Sequence, residues 1–237
     1  RSVKQLVVLS GKGGTGKTTL SVNLARFVNE FAGNKKEVVL TDLDVEEPNS
    51  GVFIKGSQVN KETKFRQIPE INFDKCTFCG RCRDVCRFNA IATLPENVLV
   101  FPELCHSCNA CVGLCPEDAM SMKDHPMGEL VESVQDNLKF IESTLNIGEQ
   151  QAVPLISQTI EYTENYDSDA LFIYDSPPGT SCPMIESVKD ADFVILVSEP
   201  TPFGLHDLKL SVETMRKLGK SFGVVSNRDG IGPDIIG

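Results

Sequence analysis

Eight of the nine cysteines in this 237-residue chain lie between positions 76 and 115, where they form two runs of identical spacing. Each run reads C-x2-C-x2-C-x3-C, and the second begins 29 residues after the first. The eight residues are Cys76, Cys79, Cys82, Cys86, Cys105, Cys108, Cys111 and Cys115. Three thiolates at this spacing suit an iron–sulfur cube better than one tetrahedral zinc ion, whose ligand pairs are separated by a longer spacer. The sequence therefore predicts two [4Fe–4S] clusters, with zinc as the alternative.

The repeated run is typical of bacterial ferredoxins, in which the fourth cysteine of each run binds the cluster of the other run. We therefore expect two ligand sets that each combine both runs. The first set is Cys76, Cys79, Cys82 and Cys115, and the second set is Cys105, Cys108, Cys111 and Cys86. Cys115 is followed by the proline typical of this pattern. Cys86 is followed by Arg87 instead, a departure that leaves the ligand set complete.

A second site is predicted at residues 11–18, which read Gly-Lys-Gly-Gly-Thr-Gly-Lys-Thr and match the phosphate-binding pattern G-x-x-x-x-G-K-[ST]. The glycines let several backbone N–H groups point at one phosphate, and the following helix adds partial positive charge. Lys17 is expected to reach the β- and γ-phosphates, and the Thr18 hydroxyl to hold Mg²⁺. The residues expected to bind ATP or ADP are Gly11, Gly13, Gly14, Thr15, Gly16, Lys17, Thr18 and Thr19. The alternative is a flexible glycine loop with an ordinary lysine.

The elements around this loop are predicted from hydrophobic periodicity. Residues 4–9 and 38–41 are short apolar runs that indicate buried strands. Between them, residues 17–31 have helical spacing, and the helix is expected to end at Gly33-Asn34. The residues on its apolar face are Leu20, Leu24, Phe27, Val28 and Phe31. Strand, helix and strand together predict a βαβ unit.

The alternation of strands and helices stops in the cysteine-rich segment and returns after it. Helices are predicted at 153–164, 184–189 and 204–218, and strands at 170–174, 193–197 and 222–226. These strands are continuous apolar runs, as expected of parallel strands covered on both faces. We predict an α/β P-loop ATPase domain with a mostly parallel sheet at residues 1–67 and 124–237, and an inserted α+β ferredoxin-like domain at residues 68–123. The repeat implies a pseudo-two-fold insert whose first and last strands lie together.

Composition and charge exclude several classes of protein. With 41% apolar and 24% charged residues, the chain is neither fibrous nor disordered, and it has no apolar stretch long enough to span a bilayer. The net charge of −10 argues against direct binding of nucleic acid. No secretory leader precedes the first strand, so the cysteines are expected to be metal ligands in the cytoplasm rather than disulfides.

Lys12, a second lysine inside the phosphate loop, resembles the deviant Walker A motif of the MinD, ParA, Mrp and nitrogenase iron-protein families. In those families the extra lysine reaches across a dimer interface to the nucleotide of the partner. The resemblance therefore implies a homodimer with nucleotides sandwiched between the subunits, and catalytic roles for Lys12 and Lys17. The alternative is a solvated lysine that adds positive charge to the loop.

Three further segments resemble the same superfamily. Asp42 and Asp44 look like switch I. This resemblance implies that Asp44 orients the attacking water and that Asp42 binds Mg²⁺ or one of the groups that bind it. The alternative is a pair of acids that ends a strand. The segment from Asp175 to Gly179 looks like switch II, in which Asp175 would bind Mg²⁺ through water and Gly179 would sense the γ-phosphate. Asn227 stands where the superfamily holds adenine.

The whole chain is similar to MinD-superfamily ATPases that carry an inserted 2[4Fe–4S] ferredoxin domain, and since members usually continue further, the chain is expected to stop early. Cys182 lies seven residues after Asp175, where the nitrogenase iron protein has a cysteine that binds a cluster shared by two subunits. That cluster needs a second cysteine from each chain, and none follows Cys115 except Cys182. Cys182 is therefore expected to be a packing residue, with a metal site shared across a dimer as the alternative.

Three functions remain open. The expected one is an ATPase that couples its nucleotide state to electron transfer through the clusters, with a redox protein or a related ATPase as partner. The others are a positioning switch like MinD or ParA that acts through a protein partner, and an ATP-dependent carrier or scaffold of iron–sulfur clusters. Basic residues surround the first cysteine run, where they would stabilise the reduced cluster and raise its potential, and could dock an acidic redox partner. The alternative is a solvated basic rim. The basic residues are Lys75, Arg81, Arg83 and Arg87.

Overall fold

In a computed structural model, which describes residues 4–32, 36–167, 169–228 and 230, the chain divides into two units. The first unit comprises residues 1–62, 129–145 and 152–237, and the second comprises residues 63–128 and 146–151. Positions 68 and 123, predicted as the limits of the inserted domain, lie within two long strands that contribute residues to both units. The predicted helix end at Gly33-Asn34 lies outside the described residues.

Among the described residues, strands and helices alternate from β1 to β2 and again after residue 152. The strands are β1 (Gln5–Ser10), β2 (Val38–Asp42), β3 (Ser57–Ile71), β4 (Ile91–Leu94), β5 (Asn97–Val100), β6 (Met120–Gln135), β7 (Leu138–Leu145), β8 (Leu171–Asp175), β9 (Phe193–Ser198) and β10 (Phe222–Ser226). The helices are α1 (Lys17–Ala32), α2 (Arg81–Val85), α3 (Ala110–Gly113), α4 (Ala152–Thr163), α5 (Cys182–Val188) and α6 (Pro202–Lys217). Single 3-10 turns lie at Ser50–Val52 and Pro102–Leu104. The predicted β1–α1–β2 unit and the predicted elements after residue 152 are confirmed to within about two residues.

Eight strands form one sheet in the order β10-β9-β1-β8-β2-β7-β6-β3, and β4 and β5 form a separate antiparallel pair. β1 is parallel to β8 and β9, β2 is parallel to β7 and β8, and β10 is parallel to β9. The predicted mostly parallel α/β sheet is therefore confirmed. Because neighbouring parallel strands end at the same edge, Asp42 lies opposite both Asp175 and Glu142 in the register.

The core of the first unit lies between α1 and the central strands. Val22 and Ala25 of α1 pack with Val8, Leu40 and Ile173, all of which are at most 2% exposed. Burying such side chains is the main favourable contribution to folding. This packing fixes the start of α1 beside the ends of β1 and β8.

Two predictions about burial are wrong. The apolar spacing assigns Phe27 and Phe31 to the buried face of α1, but they are 57% and 74% exposed and contact each other with tilted rings, whose centroids are 4.3 Å apart. The apolar stripe of this helix is wider than the surface that faces the sheet. The strand at 222–226 is expected to be covered on both faces, but Val224 and Val225 of β10 are exposed in the described part of the chain, where β10 pairs with β9 alone.

The long strands β3, β6 and β7 were not predicted. β3 is rich in charged and polar residues and alternates between exposed and half-buried positions, so it lacks the continuous apolar run of a buried strand. β6 and β7 are joined by the two-residue turn Asp136-Asn137, in which Asp136 has a φ of 55°. Such a turn is typical of a β-hairpin. β3 and β6, the strands that flank the cysteine-rich segment, are neighbours in the sheet.

In the second unit, the repeat of the sequence is also a repeat of backbone conformation. Three pairs of residues separated by 29 positions have a positive φ: Phe78 and Ser107 (54° and 54°), Gly80 and Asn109 (80° and 62°), and Asn89 and Asp118 (53° and 46°). This left-handed conformation costs a residue with a side chain about 1–2 kcal/mol. Both halves adopt this unfavourable conformation at equivalent positions, so the turns belong to the fold of both halves.

No helix in the described ranges combines the length and the apolar character that crossing a bilayer requires.

Candidate functional site

The phosphate loop connects the carboxyl end of β1 to the start of α1. Gly14 and Gly16 have positive φ values of 80° and 95°, which residues with a side chain rarely adopt. Within the described residues, a Cβ on Gly13 or Gly14 would meet nothing within 4 Å, whereas a Cβ on Gly16 would overlap Asn227 Nδ2. The loop is therefore open on the side of Gly13 and Gly14, and a phosphate group has room there.

Lys17, the first residue of α1, is buried and forms an ion pair with Asp175, the last residue of β8, with an Nζ–Oδ1 distance of 2.7 Å. The same carboxylate accepts hydrogen bonds from Ser21 Oγ at 3.0 Å and from Ser50 Oγ at 3.2 Å. Asp175 is fully buried, so its charge depends on these donors for compensation. One carboxylate thus ties the phosphate loop, α1 and the 3-10 turn to the end of β8.

Asp42, the last residue of β2, has no exposed surface, and both of its carboxylate oxygens accept hydrogen bonds from backbone N–H groups. Oδ1 accepts from Asp44 at 3.0 Å, and Oδ2 accepts from Asn49 and Ser50 at 2.9 Å each. Burial raises the pKa of Asp42, and the neighbouring Asp175 raises it further. These hydrogen bonds hold the conformation of the loop of residues 44–50.

A cavity of about 500 Å³ lies beside the phosphate loop, within the range of small-molecule sites. Seven of the predicted nucleotide-site residues line it: Gly13, Gly14, Gly16, Lys17, Thr18, Thr19 and Asp44. Burial raises the pKa of Asp44 to about 6. The Thr15 hydroxyl is buried beside them and, within the described part of the chain, has no hydrogen-bond partner. The polar side chains of this cavity suit a polar ligand.

Asn227 follows β10 and lies against the other side of the loop. Its Nδ2 donates to Thr15 O at 2.8 Å, and its backbone N–H donates to Ser198 O at 2.8 Å. Together with Gly16 it lines a smaller cavity of about 190 Å³, whose other walls are mainly apolar. Those walls include Leu20, Val197 and Val225. A flat, partly apolar group fits this space.

Lys12 is held within its own chain by an ion pair with Glu199, with an Nζ–Oε1 distance of 2.5 Å. The other oxygen of Glu199 accepts a hydrogen bond from Arg228 Nη1 at 3.0 Å. The hydrogen bond from Lys12, assisted by Arg228, lowers the pKa of Glu199. Neither Glu199 nor Arg228 was predicted as a site residue. The missed signal is that Glu199 follows the end of β9, as Asp42 and Asp175 end β2 and β8.

The segment after β8 closes onto the phosphate loop through its backbone. Gly179, with a φ of 92°, donates its N–H to Ser10 O at 2.9 Å. Three residues later, Cys182 begins α5 and is exposed. The expectation that Cys182 is a packing residue is therefore wrong, because the first turn of α5 presents it to solvent.

The first predicted cysteine set lies around one cavity of the second unit. Cys76, Cys79, Cys82 and Cys115 all line it, although Cys115 belongs to the second run. Apolar side chains complete the wall, among them Ile71, Val98 and Met120. Cys115 Sγ also accepts a hydrogen bond from the backbone N–H of Ala119 at 3.3 Å.

The second predicted set contains the most buried thiols. Cys105 packs against Cys86 of the first run, together with Ile68 and Ala90. Cys86 Sγ accepts a hydrogen bond from the Ala90 N–H at 3.3 Å, which matches the bond to Cys115 in the other half. Burial, with contributions from the nearby Cys105 and Cys108, raises the pKa of the Cys111 thiol to about 11. The Cys111 thiol therefore becomes a thiolate at neutral pH only beside a strong positive charge.

The model of the family described as CbiA, the CobQ/CobB/MinD/ParA nucleotide binding domain, matches residues 6–231. The uncharacterized protein MJ0578 of Methanocaldococcus jannaschii is 33% identical over 232 residues, which are 97% of this chain and 79% of that protein. An uncharacterized ferredoxin of the same organism, MJ0722, is 40% identical over 57 residues, which are 22% of this chain and 74% of that protein. Septum site-determining protein MinD of Pyrococcus horikoshii, solved with Mg-ADP, has a TM-score of 0.54 at 18% identity and covers 97% of this chain and 72% of that one. That likeness is one of fold.

Replacement of Asp44 by Asn is expected to stabilise the nucleotide-free protein by about 1 kcal/mol near neutral pH, allowing for solvent around this half-buried group. Because burial raises the folded pKa of Asp44 from 3.8 to about 6, its ionisation costs folding free energy as the pH rises through this interval. The advantage of Asp44→Asn should therefore shrink as the pH falls from about 7.5 to about 5. Urea unfolding at both pH values measures this.

The matched control is Glu47→Gln, which removes an exposed acid from the same loop. Its effect on the free energy of unfolding should be small and should not change between the two pH values. An equal advantage of Asp44→Asn at both pH values would contradict the prediction.

Proposed function

Because the chain belongs to the CobQ/CobB/MinD/ParA nucleotide-binding family, we propose that it binds and hydrolyses ATP and couples its nucleotide state to one-electron transfer through two [4Fe–4S] clusters. The observation that carries the proposal is the lining of the cysteine cavity. Cys115, from the second run, lies there with Cys76, Cys79 and Cys82 from the first. This exchange of the fourth cysteine is the pattern of two-cluster ferredoxins.

The two ligand sets fit clusters better than single zinc ions. Among the described residues, no three His, Cys, Asp or Glu side chains come close enough together to hold one metal ion. In a [4Fe–4S] cluster each thiolate binds a different iron, so the four ligands stand around the cluster instead of meeting at one point. The N–H···S bonds to Cys86 and Cys115 suit both residues as thiolate ligands, because they stabilise negative charge on sulfur.

Each group would supply a distinct chemistry. Cys76, Cys79, Cys82 and Cys115 would hold one cluster, and Cys105, Cys108, Cys111 and Cys86 would hold the other. When bound, each cluster supplies a one-electron carrier. The chain's own contribution is to orient the thiolates through the repeated left-handed turns and to exclude water with the apolar wall.

At the nucleotide site, Gly13 and Gly14 leave room for phosphates, and Thr18 would hold Mg²⁺ together with them. Lys17 would exchange its bond to Asp175 for the β- and γ-phosphates, which frees Asp175 for a water on Mg²⁺. Asp44, with a pKa of about 6, suits a group that accepts a proton from the attacking water near neutral pH. Asn227 would contact adenine at the smaller cavity.

The active form would be a homodimer in which Lys12 leaves Glu199 and reaches the nucleotide of the partner subunit. Coupling then follows from linkage: if ATP favours a state of the protein in which the clusters accept electrons more readily, reduction must favour ATP binding equally. A redox protein would exchange electrons with the clusters. If nucleotide and clusters prove independent, the alternative is a positioning switch like MinD; if the clusters transfer to other proteins, it is a carrier.

Iron analysis of double variants tests the ligand sets. Cys115→Ser and Cys79→Ser affect the same proposed set, so their combination should lose about half of the iron, as either single variant does. Cys115→Ser combined with Cys108→Ser affects both sets and should lose almost all of it. Cys182→Ser is the control and should keep the full iron content. The reverse pattern of losses for the two double variants would overturn the exchange of the fourth cysteine.

Redox titration of the anaerobic protein tests the coupling. With Mg-ATP in place of Mg-ADP, the midpoint potential of at least one cluster should shift by about 59 mV, which is about 1.4 kcal/mol for one electron. Thr18→Ala removes the proposed Mg²⁺ ligand from a half-exposed position and should abolish the shift while keeping the iron. Equal potentials with both nucleotides in the wild type would exclude coupling and favour the positioning switch.

A further inference from the structure

A buried arginine lies beside the second cysteine set. Arg66 of β3 is 4% exposed, and its guanidinium donates four hydrogen bonds. Two go to Glu149, from Nε to Oε2 at 2.9 Å and from Nη2 to Oε1 at 3.1 Å. The other two go to backbone carbonyls, from Nη1 to Cys105 O at 3.1 Å and from Nη2 to Pro102 O at 2.7 Å.

This charge is costly to bury. Removing a guanidinium from water costs several kcal/mol, and a carboxylate repays this only with good geometry. Glu149 supplies a bidentate pair, and its side chain is 8% exposed. Burial opposes ionisation of Glu149, but the Arg66 guanidinium outweighs it and holds the pKa of this carboxyl below its usual value. His125 Nε2 lies 3.0 Å from Oε1 of the same carboxylate. The second unit therefore maintains a separated pair of charges, with the positive end against Cys105.

We propose that the Arg66–Glu149 pair sets the reduction potential of the cluster held by Cys105, Cys108, Cys111 and Cys86, and that it makes the two clusters unequal. The inference rests on the clusters of the proposed function. Reduction adds one negative charge to a cluster, so a nearby positive charge stabilises the reduced form and raises the potential. Arg66 is the closer member of the pair, because it contacts the cysteine carbonyl and holds Glu149 on its other edge.

The pair has no counterpart in the other half of the repeat. The position 29 residues after Arg66 is Pro95, which has no side-chain donor. Neither Arg66 nor Glu149 lines the cavity of Cys76, Cys79, Cys82 and Cys115. Two ligand sets with nearly the same backbone thus differ in one buried ion pair, whose positive member lies against Cys105. A difference in reduction potential between the two clusters would favour electron transfer from one to the other.

Removing one or the other member of the pair should move the potential in opposite directions. Arg66→Met removes the positive charge and leaves Glu149, so the second cluster should become harder to reduce. Glu149→Gln keeps the shape and hydrogen-bonding oxygen of the side chain but leaves Arg66 uncompensated, so the same cluster should become easier to reduce. A purely structural role in holding the 3-10 turn before Cys105 would move both variants in the same direction or cause loss of iron.

The experiment is an anaerobic redox titration of the reconstituted full chain, followed by electron paramagnetic resonance. In each variant the midpoint potential of one of the two one-electron steps should shift by about 59 mV, which is a tenfold change in the ratio of reduced to oxidised cluster. The midpoint potential of the other step should not change. Lys123→Gln and Glu70→Gln are matched controls, because they remove the same charges from an exposed ion pair of the second unit. They should shift neither step comparably, since solvent screens them.

Three results would decide the proposal. Opposite shifts confined to one step would support it. If Arg66→Met fails to fold, Arg66→Lys, which keeps the charge, should leave the step near its wild-type potential, and Glu149→Gln alone should still raise it. Unchanged steps in Glu149→Gln, with the iron retained, would overturn the role of the pair and leave the clusters in place. Wild-type protein that binds no clusters would overturn the proposed function itself.

Discussion

The nucleotide site depends on one buried ion pair. Asp175 has no contact with solvent, and Lys17, Ser21 and Ser50 bring it a cation and two hydroxyl donors from separate parts of the chain. Without these partners the carboxylate would be a buried uncompensated charge, which costs several kcal/mol. The start of α1, the end of β8 and the turn after β2 are therefore held in a fixed relation before any ligand binds.

Other acidic side chains at the carboxyl ends of the parallel strands also bind neighbouring loops and side chains. Both carboxylate oxygens of Asp42 accept hydrogen bonds from the backbone of the loop that carries Asp44. Glu199 forms ion pairs with Lys12 and Arg228. Acids that follow buried strands thus serve mainly to position loops and lysines around the cavity. Asp44 is different, because its side chain lines the cavity, whereas Asp42 does not.

The second unit depends on a backbone constraint instead of a charge. Its two halves repeat the same left-handed turns, and both fourth cysteines accept a backbone N–H at 3.3 Å. The Arg66–Glu149 ion pair is present in only one of these two halves. The chain passes between the units four times, since residues 63–128 and 146–151 interrupt the first unit. Glu149 lies in the shorter of these segments, between β7 and α4, so it is covalently connected to the first unit on both sides.

The sequence alone predicted the P-loop α/β fold and the β1–α1–β2 unit, because these depend on local spacing: glycines for a tight loop and apolar runs for buried strands. Tertiary structure decided the rest. The exposure of Phe27 and Phe31 follows from how much of α1 the sheet covers, and that of Val224 from a face of β10 that the described residues leave uncovered. The ion-pair partners of Glu199 and Arg66 lie far from them in the sequence, so no local pattern predicts these contacts. Whether a buried charge is compensated depends on groups that only folding brings within hydrogen-bond distance.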